Sequence, residues 1–289
     1  MKLAILGPRK RGYEEERFIE EGRKIFDRVD YFPIPRIIIR ISNKEKILSY
    51  GNKNLLEYEA ILPRIPRSYK TYGFTLLTIL KSEEKYLPID PFSVILSHNK
   101  FLTLVCLAEK GLPIPKTFLS LKRNTLEETL DQINFPLVLK LLYGSKGIGV
   151  MFADSKQSAI SIMDTLERFK QPIFIEEYVE NPGEDVRAYV IGNEVFAMKR
   201  IAKKDERRAN ISIGGKGEVY KLKDEEIDLV LDAAEALNME ICGVDFIPSY
   251  KGPLFIETNV NAQFKGLERA TKVNIARKIL EFLKERVEK

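Results

Sequence analysis

The sequence predicts a protein of mixed α/β and α+β class, and three patterns predict it. Over the first 90 residues, short apolar runs alternate with an amphipathic stretch of helical period, as in an α/β unit. Beyond residue 183 the texture changes to strands joined by tight turns, as in "EDVRAYVIGNEVFAMKR". Helical stretches such as "EEIDLVLDAAEALN" and "ATKVNIARKILEFLKERVEK" follow, with faces apolar enough to cover a sheet.

Taken in order, "KLAILG" reads as a parallel strand ending at Gly7, and "EEERFIEEGRKIF" as a helix with Phe18, Ile19, Ile25 and Phe26 near one face. "RVDYFPI", "RIIIRI" and "YEAILPRI" are strands, the last stopped by Pro63 and Pro66; "GFTLLTILKSE" is helical and "YLPID" extended. A helix is expected from about Ser97 or Asn99 to Glu109, where Gly111, Pro113 and Pro115 forbid continuation. "TLEETLDQIN" is the next helix and "FPLVLKLL" a buried strand. "GSKGIGV" is a glycine-rich loop, followed by strand "VMFAD", helix "KQSAISIMDTLERFK" and strand "PIFIEEYV". Gly192-Asn193 and "YKG" each mark a hairpin, the second joining "ICGVDFIPS" to "GPLFIETN".

The 289 residues suffice for two domains or one large one. The net charge of +5 is spread along the chain without a Lys/Arg block, and aromatics do not interleave with the cations, which argues against nucleic-acid binding. A polyanionic ligand or an acidic protein fits such a charge. Cys106 and Cys242 lie in apolar surroundings and are expected to be buried free thiols; no C-x-x-C or histidine cluster supports zinc. No run approaches 18 apolar residues, and the opening run is too short for a signal peptide, so a cytoplasmic location is expected.

The stretch "LFIETNVN" raises the chemical question, because a buried strand there ends in Glu257, Asn259 and Asn261. Asp245, inside the apolar "GVDFI", is costly unless paired or bound to a cation. On an antiparallel hairpin Asp245 and Glu257 can lie opposite each other, where they repel unless a cation neutralises them. Asp245, Glu257 and Asn259 offer oxygen only, which suits Mg²⁺ or Mn²⁺. Gly144, Ser145, Lys146, Gly147 and Gly149 could cradle phosphate through backbone N–H groups, although hairpin loops are often glycine-rich for their own reasons. Lys140 ends the preceding apolar strand and is placed to project into a site. Lys100 lies at a helix start, where a cation does not help the dipole. Arg187, Arg200, Arg208 and Asn210 supply groups suited to phosphate and carboxylate.

Together "SHNKFLTLVCLAEKGLPIPKT", "LVLKLLYGSKGIGVMFAD", "FIEEYVENPGEDVRAYVIGNEVFAMKR", "RRANISIGGKG" and "GVDFIPSYKGPLFIETNVN" resemble the ATP-grasp superfamily, and most closely its RimK-like α-L-glutamate ligases. They run in that family's order over about residues 95 to 275. The resemblance implies an ATP-grasp fold: a small N-terminal α/β domain (1–94), then two α+β lobes (95–175 and 176–289) sandwiching ATP. It further implies that Lys100 and Lys140 touch ATP, that Glu176, Glu177 and Tyr178 form the adenine hinge, and that Asp185 sits near the ribose. The loop at 144–149 would close over the phosphates, which Arg208 and Asn210 would reach from the other lobe. Asp245, Glu257 and Asn259 would hold two Mg²⁺ ions. The implied reaction passes through an acyl phosphate that an amine, typically that of glutamate, attacks. Arg187, Arg200 and Arg208 are the catalytic candidates, and a homo-oligomer, dimer or tetramer, is implied.

Two departures bear on the substrate. "NVNAQFKGLE" lies part-way toward ligases of lysine and arginine biosynthesis, which carry N-x-N-x-E-F-K and act on an acidic carrier protein. "RRANISIGG" has Ser212 and Ile213 where relatives often carry His and Arg. The acceptor therefore stands open between a pterin or deazaflavin coenzyme, a ribosomal protein tail and such a carrier. A nucleotide-binding regulatory protein without turnover is the reading from another class; Asp245, Glu257, Asn259 and Arg208 argue against it.

Overall fold

The structure, a computed structural model, describes residues 1–43, 45–144, 148–180, 183–202, 216–250 and 252–289. β1 (Lys2–Gly7), α1 (Tyr13–Ile25) and β2 (Arg28–Pro33) open the chain. The antiparallel run β3 (Ile38–Ile41), β4 (Lys46–Tyr50) and β5 (Lys53–Asn54) follows. β6 (Ala60–Pro63) then returns beside β1 in the parallel order β2-β1-β6. β1 is apolar and buried on both faces, as a central parallel strand must be. Next come α2 (Lys70–Ser82) and α3 (Pro91–Ser97), the latter capped by Asp90 with Pro91 at its first position.

The helix expected from Ser97 or Asn99 is α4 (Lys100–Glu109), and Asn99 is its cap, accepting from Phe101 N at 3.1 Å and Leu102 N at 3.2 Å. α3 was not anticipated, and it straddles the boundary expected at residue 94. Gly111 ends α4 with φ +81°, a conformation glycine adopts without strain.

β7 (Thr117–Ser120), the short α5 (Arg123–Glu127), β8 (Leu137–Lys140), β9 (Val150–Ala153), α6 (Lys156–Arg168) and β10 (Ile173–Glu177) build the central lobe. Its antiparallel sheet has the order β7-β10-β8-β9. Leu137, Leu139, Met163 and Ile175 belong to a core of its own.

The last lobe contains β11 (Glu184–Ile191), β12 (Glu194–Ile201), β13 (Lys216–Val219), α7 (Asp224–Glu235), β14 (Ile241–Ser249) and β15 (Gly252–Asn259). Their sheet runs β13-β12-β11-β14-β15. The expected closing helix is two helices, α8 (Lys265–Thr271) and α9 (Ile275–Glu288). Lys272 breaks it in the left-handed conformation, φ 61°, and Asn274 caps the restart. This lobe shares its cores with the N-terminal unit: Leu3, Phe18, Tyr189, Phe264 and Leu280 pack in one cluster. Ala4, Leu6, Val190 and Phe246 pack in another.

Both cysteines are free. Cys242 is buried as expected, and burial pushes its thiol pKa up. Cys106 is only half-buried, because it sits on the rim of α4. Among the described residues no single helix is long and apolar enough to cross a membrane.

Candidate active site

A cleft of about 580 Å³ opens between the central lobe and the β11–β15 sheet. One end is apolar, walled by Val138, Val150 and Phe152 on one side and Ile247 and Ile256 on the other. Tyr178 closes that end, edge-on to Phe152 with ring centroids 6.2 Å apart. Of the candidate hinge residues, Glu177 donates its N–H to Lys116 O at 2.8 Å, so the chain beyond it, Tyr178 and Val179, is left facing the cleft. Glu176 is buried and pairs with Lys140, while its Oε2 finds no partner among the described residues.

The middle of the cleft is charged, and β-register explains why. Arg187 on β11, Asp245 on β14 and Glu257 on β15 stand in one cross-strand row, with a bulge after Asp245. Asp185, two residues before Arg187 and so on the same face, stands opposite Arg200 on β12. Asn259, two beyond Glu257, keeps that face as well. Arg187 donates from Nε to Asp245 Oδ1 at 2.7 Å and from Nη2 to Oδ2 at 2.5 Å. Arg200 donates through Nη2 to Asp245 Oδ2 at 2.9 Å and to Asp185 Oδ2 at 2.8 Å. Lys100 Nζ reaches Glu257 Oε2 at 2.5 Å from the start of α4. With its amide oriented to satisfy both neighbours, Asn259 donates to Glu257 Oε1 at 2.9 Å and accepts from Arg187 Nη2 at 3.3 Å.

These contacts set the charges. Burial alone would raise the Asp245 carboxyl, but the charges and hydrogen bonds of Arg187 and Arg200 outweigh it and hold the pKa down at about 2. Asp185 goes the other way: burial raises it further than Arg200 lowers it, and the charge of Asp245 adds to the rise. Arg200, itself buried, is held more firmly protonated by the two carboxylates.

The expectation that Arg187 and Arg200 face a reacting group needs refinement. Most of their donors are engaged in organising the acids, and the Nη1 groups are the ones without an acceptor among the described residues. Metal capacity follows from the same count. A carboxylate has about four lone-pair positions. Asp245 uses three on guanidinium N–H groups and Glu257 uses two, so both keep room for a cation. An oxygen-only set with free lone pairs fits Mg²⁺.

Gly144 lines the cleft, and Gly149 stands at the end of the loop. Gly149 has φ +82°, and a Cβ there would meet Leu141 Cδ1 at 2.7 Å, so the turn itself requires this glycine. Ser145, Lys146, Gly147, Arg208 and Asn210 lie outside the described residues.

The far end of the cleft falls partly in "NVNAQFKGLE", the run whose departure bears on the substrate, but no role was read there for its side chains. It carries Asn261, Gln263, Lys265 and Arg269 after β15, and Arg67 and His98 from the N-terminal side. The alternation Glu257, Asn259, Asn261 was a usable signal for Asn261, whose Oδ1 is buried without a partner among the described residues. Arg64 and Glu14 had no local signal. Arg64, buried, donates from Nη2 to Ala262 O at 3.0 Å. Glu14 Oε1 accepts from Phe264 N at 3.2 Å and Lys265 N at 3.3 Å. His98 is half-buried, the partial burial of its ring lowers its pKa, and Nε2 lies 3.2 Å from Ile65 O.

Comparison with known proteins agrees with this architecture. Residues 97–283 match the RimK-like ATP-grasp domain, and residues 1–89 the RimK PreATP-grasp domain. A probable alpha-L-glutamate ligase of Legionella pneumophila is 34% identical over 290 residues, spanning 99% of this chain and 96% of the relative. One of Coxiella burnetii is 32% identical over 286 residues, spanning 98% and 95%. The solved ATP-grasp ligase PsnB, complexed with minimal precursor, Mg and ADP, superposes with a TM-score of 0.77 at 17% identity, over 99% of this chain and 98% of that one. The RimK domain protein of Sphaerobacter thermophilus gives 0.73 at 18% identity, over 98% and 99%. At such identities these two structures establish the fold. The chain belongs to the RimK-like ATP-grasp family of ATP-dependent ligases.

Proposed function

We propose that the protein joins the amine of L-glutamate to a carboxylate on an acceptor, using ATP and passing through an acyl phosphate. The observation that carries this reading is the row Arg187–Asp245–Glu257, with Lys100, set between an apolar pocket and a polar cleft end. Such a row suits a reaction in which anions must be brought together: a triphosphate, the acceptor carboxylate and the amino acid. The full-length likeness to probable alpha-L-glutamate ligases supports the choice of glutamate.

Asp245, Glu257 and Asn259 would hold Mg²⁺, two ions in our reading, and bound Mg²⁺ would supply charge neutralisation at the transferring phosphoryl group. Val138, Phe152 and Ile256 would hold the adenine, with Tyr178 at the hinge and Asp185 toward the ribose. Lys140, Lys100 and the loop at 144–149 would orient the phosphates, with Arg208 and Asn210 opposite. The acceptor carboxylate oxygen bonds to the γ-phosphorus as ADP leaves. The glutamate amine then attacks the acyl carbon, phosphate departs, and the amine gives up a proton. Throughout, the free Nη1 donors of Arg187 and Arg200 stabilise negative charge on oxygen. No covalent nucleophile on the protein is needed.

The test is phosphate release from ATP and Mg²⁺ with glutamate fixed and the acceptor varied. A reduced pterin, a deazaflavin coenzyme, an acidic carrier peptide and a ribosomal protein tail form the panel, with mass spectrometry on each. Glutamate-dependent release with a matching mass gain supports the reading. Release that needs a different amino acid overturns the choice of glutamate, and ATP binding without release from any combination overturns the ligase assignment.

A further inference from the structure

Beyond the phosphate-handling row, the cleft ends in cations that the mechanism above does not use. Lys265 and Arg269 are spaced i, i+4 on α8, so they share one helix face, and both line the cleft. Like charges at that spacing destabilise a helix when nothing neutralises them. Nothing does here. Glu268, the acid of the same helix, is turned away: it accepts from Tyr13 OH at 2.7 Å and from Ala276 N at 3.2 Å, and lies 3.4 Å from Arg17 Nε. Lys265 rests its ammonium over the Tyr13 ring, 5.2 Å from the centroid. Arg67 faces the same cleft from the N-terminal unit, its guanidinium over Tyr143 at 5.6 Å. Among the described residues no carboxylate pairs with any of these three cations.

Their place is fixed from below. Phe264 is fully buried among Phe18, Tyr13 and Tyr189, with ring centroids 5.3, 6.3 and 6.1 Å away. Arg64 and Glu14 hold the backbone on either side of it. The N-terminal unit thus clamps the segment that leaves the metal strand and presents Lys265 and Arg269 on a rigid base.

We propose that Lys265 and Arg269, with Arg67 contributed to the same cleft by the N-terminal unit, form a carboxylate-binding subsite at the end of the cleft remote from Tyr178. Glu14 and Arg64 are its positioning residues. The subsite takes a carboxylate that does not react, either that of the incoming amino acid or one carried by the acceptor chain. This deepens the ligase reading and rests on it for the identity of the substrate.

The experiment uses the full chain and two readouts. Titration of tetra-L-glutamate into protein loaded with Mg²⁺ and a non-hydrolysable ATP analogue reports the subsite without turnover. Lys265→Gln and Arg269→Gln, both exposed and so compatible with folding, are each expected to weaken that binding about ten-fold, the scale of one charge-assisted hydrogen bond. Affinity for the ATP analogue should stay unchanged. Glu14→Ala should weaken tetra-L-glutamate binding as well, and Glu14→Gln, which retains an acceptor oxygen, should restore it. In turnover the loss should fall on KM, for glutamate if the amino acid supplies the carboxylate and for the acceptor if the chain does. Wild-type-like tetra-L-glutamate binding in both Lys265→Gln and Arg269→Gln, or no binding by the wild type, overturns the subsite. Binding that depends on Lys265 and Arg269 in a protein without glutamate-dependent turnover would instead overturn the reading of the reaction and keep the subsite.

Discussion

Arg187 and Asp245 face each other across β11 and β14, and one guanidinium grips both carboxylate oxygens, at 2.7 and 2.5 Å. Arg200 grips the same carboxylate from β12. Asp245 is therefore structural as well as a metal candidate. Asp245→Asn leaves the Arg187 guanidinium without its counter-charge and Arg200 with Asp185 alone, and breaking such a pair costs about 3–5 kcal/mol. Turnover should vanish, and thermal unfolding should show Tm lowered by roughly ten degrees, at about 2–4 °C per kcal/mol. An unchanged Tm would mean that the guanidinium groups do not depend on Asp245.

Glu257 differs in a way that separates the two roles. Its side chain is 27% exposed, on the wall of the cleft, and its ionic partner is Lys100. A partly exposed ion pair contributes little, about 0–1 kcal/mol. Glu257→Ala is expected to abolish ligation while leaving Tm within a couple of degrees of the wild type. Normal turnover in this variant would sink the metal assignment at the end of β15.

Arg200 combines both behaviours. Removing an oxyanion-type donor costs at least about a hundred-fold in turnover, and Arg200→Ala should show that loss in kcat. Asp185 and Asp245 would also be left close together without their shared cation, so this variant should unfold earlier than the wild type. A change confined to KM would reduce Arg200 to a substrate-binding residue.

His98, the single histidine of the chain, gives the pH dependence. Burial lowers its pKa from the ordinary 6.5, and Lys70 and Arg67 push in the same direction. The folded protein takes up the proton less readily than the unfolded chain. Stability is thus full above the unfolded pKa and falls as pH drops below about 6.5. Tm measured at pH 5 should lie below that at pH 7.5, and His98→Gln should flatten the fall. An equal slope in the variant would assign the effect to carboxylates.

The elements with a strong local period were legible: β1, α1, α6 and the hairpins of the last lobe follow the sequence pattern closely. Asp245 and Glu257 were legible as two acids on one hairpin, but their register was not: counted back from the turn Asp245 would stand opposite Ile256, and the bulge after Asp245 brings Glu257 there instead. The short β5, β7 and β13 carry too few residues for periodicity to mark them; β5 folds back on the adjacent β4, whereas β7 owes its pairing to β10, remote in sequence. The break at Lys272 could not be seen, since a lysine in the left-handed conformation gives no sign in a helical pattern. Arg64 and Glu14 were illegible for the deepest reason. They act on backbone groups some 200 residues away, and only the shared packing of the N-terminal unit and the last lobe brings them there.

Gly243 ties that packing to the cleft. It lies on β14 opposite Asn259, and Ala262 crosses directly over it, so that a Cβ at 243 would meet the Ala262 Cβ at 2.6 Å. Real Cβ atoms do not approach so closely, and the β14 backbone, hydrogen-bonded on both sides, cannot yield. The segment at 261–265 must move instead, but Arg64 and Glu14 hold its backbone and Phe264 is locked in an aromatic cluster. Gly243→Ala therefore sets a rigid strand against a clamped segment. The overpacking costs about 1–3 kcal/mol, and relief comes by displacing Asn261 and the cations beyond it. The adenine end, walled by the central lobe and by Ile247 and Ile256 beyond Asp245 from Gly243, is not in contact with the clamped segment. The expected outcome is a lowered Tm, nucleotide affinity close to wild type and a several-fold rise in KM for the carboxylate substrates. Reduced nucleotide affinity with unchanged substrate KM would show instead that the strain runs back along β14 to Asp245.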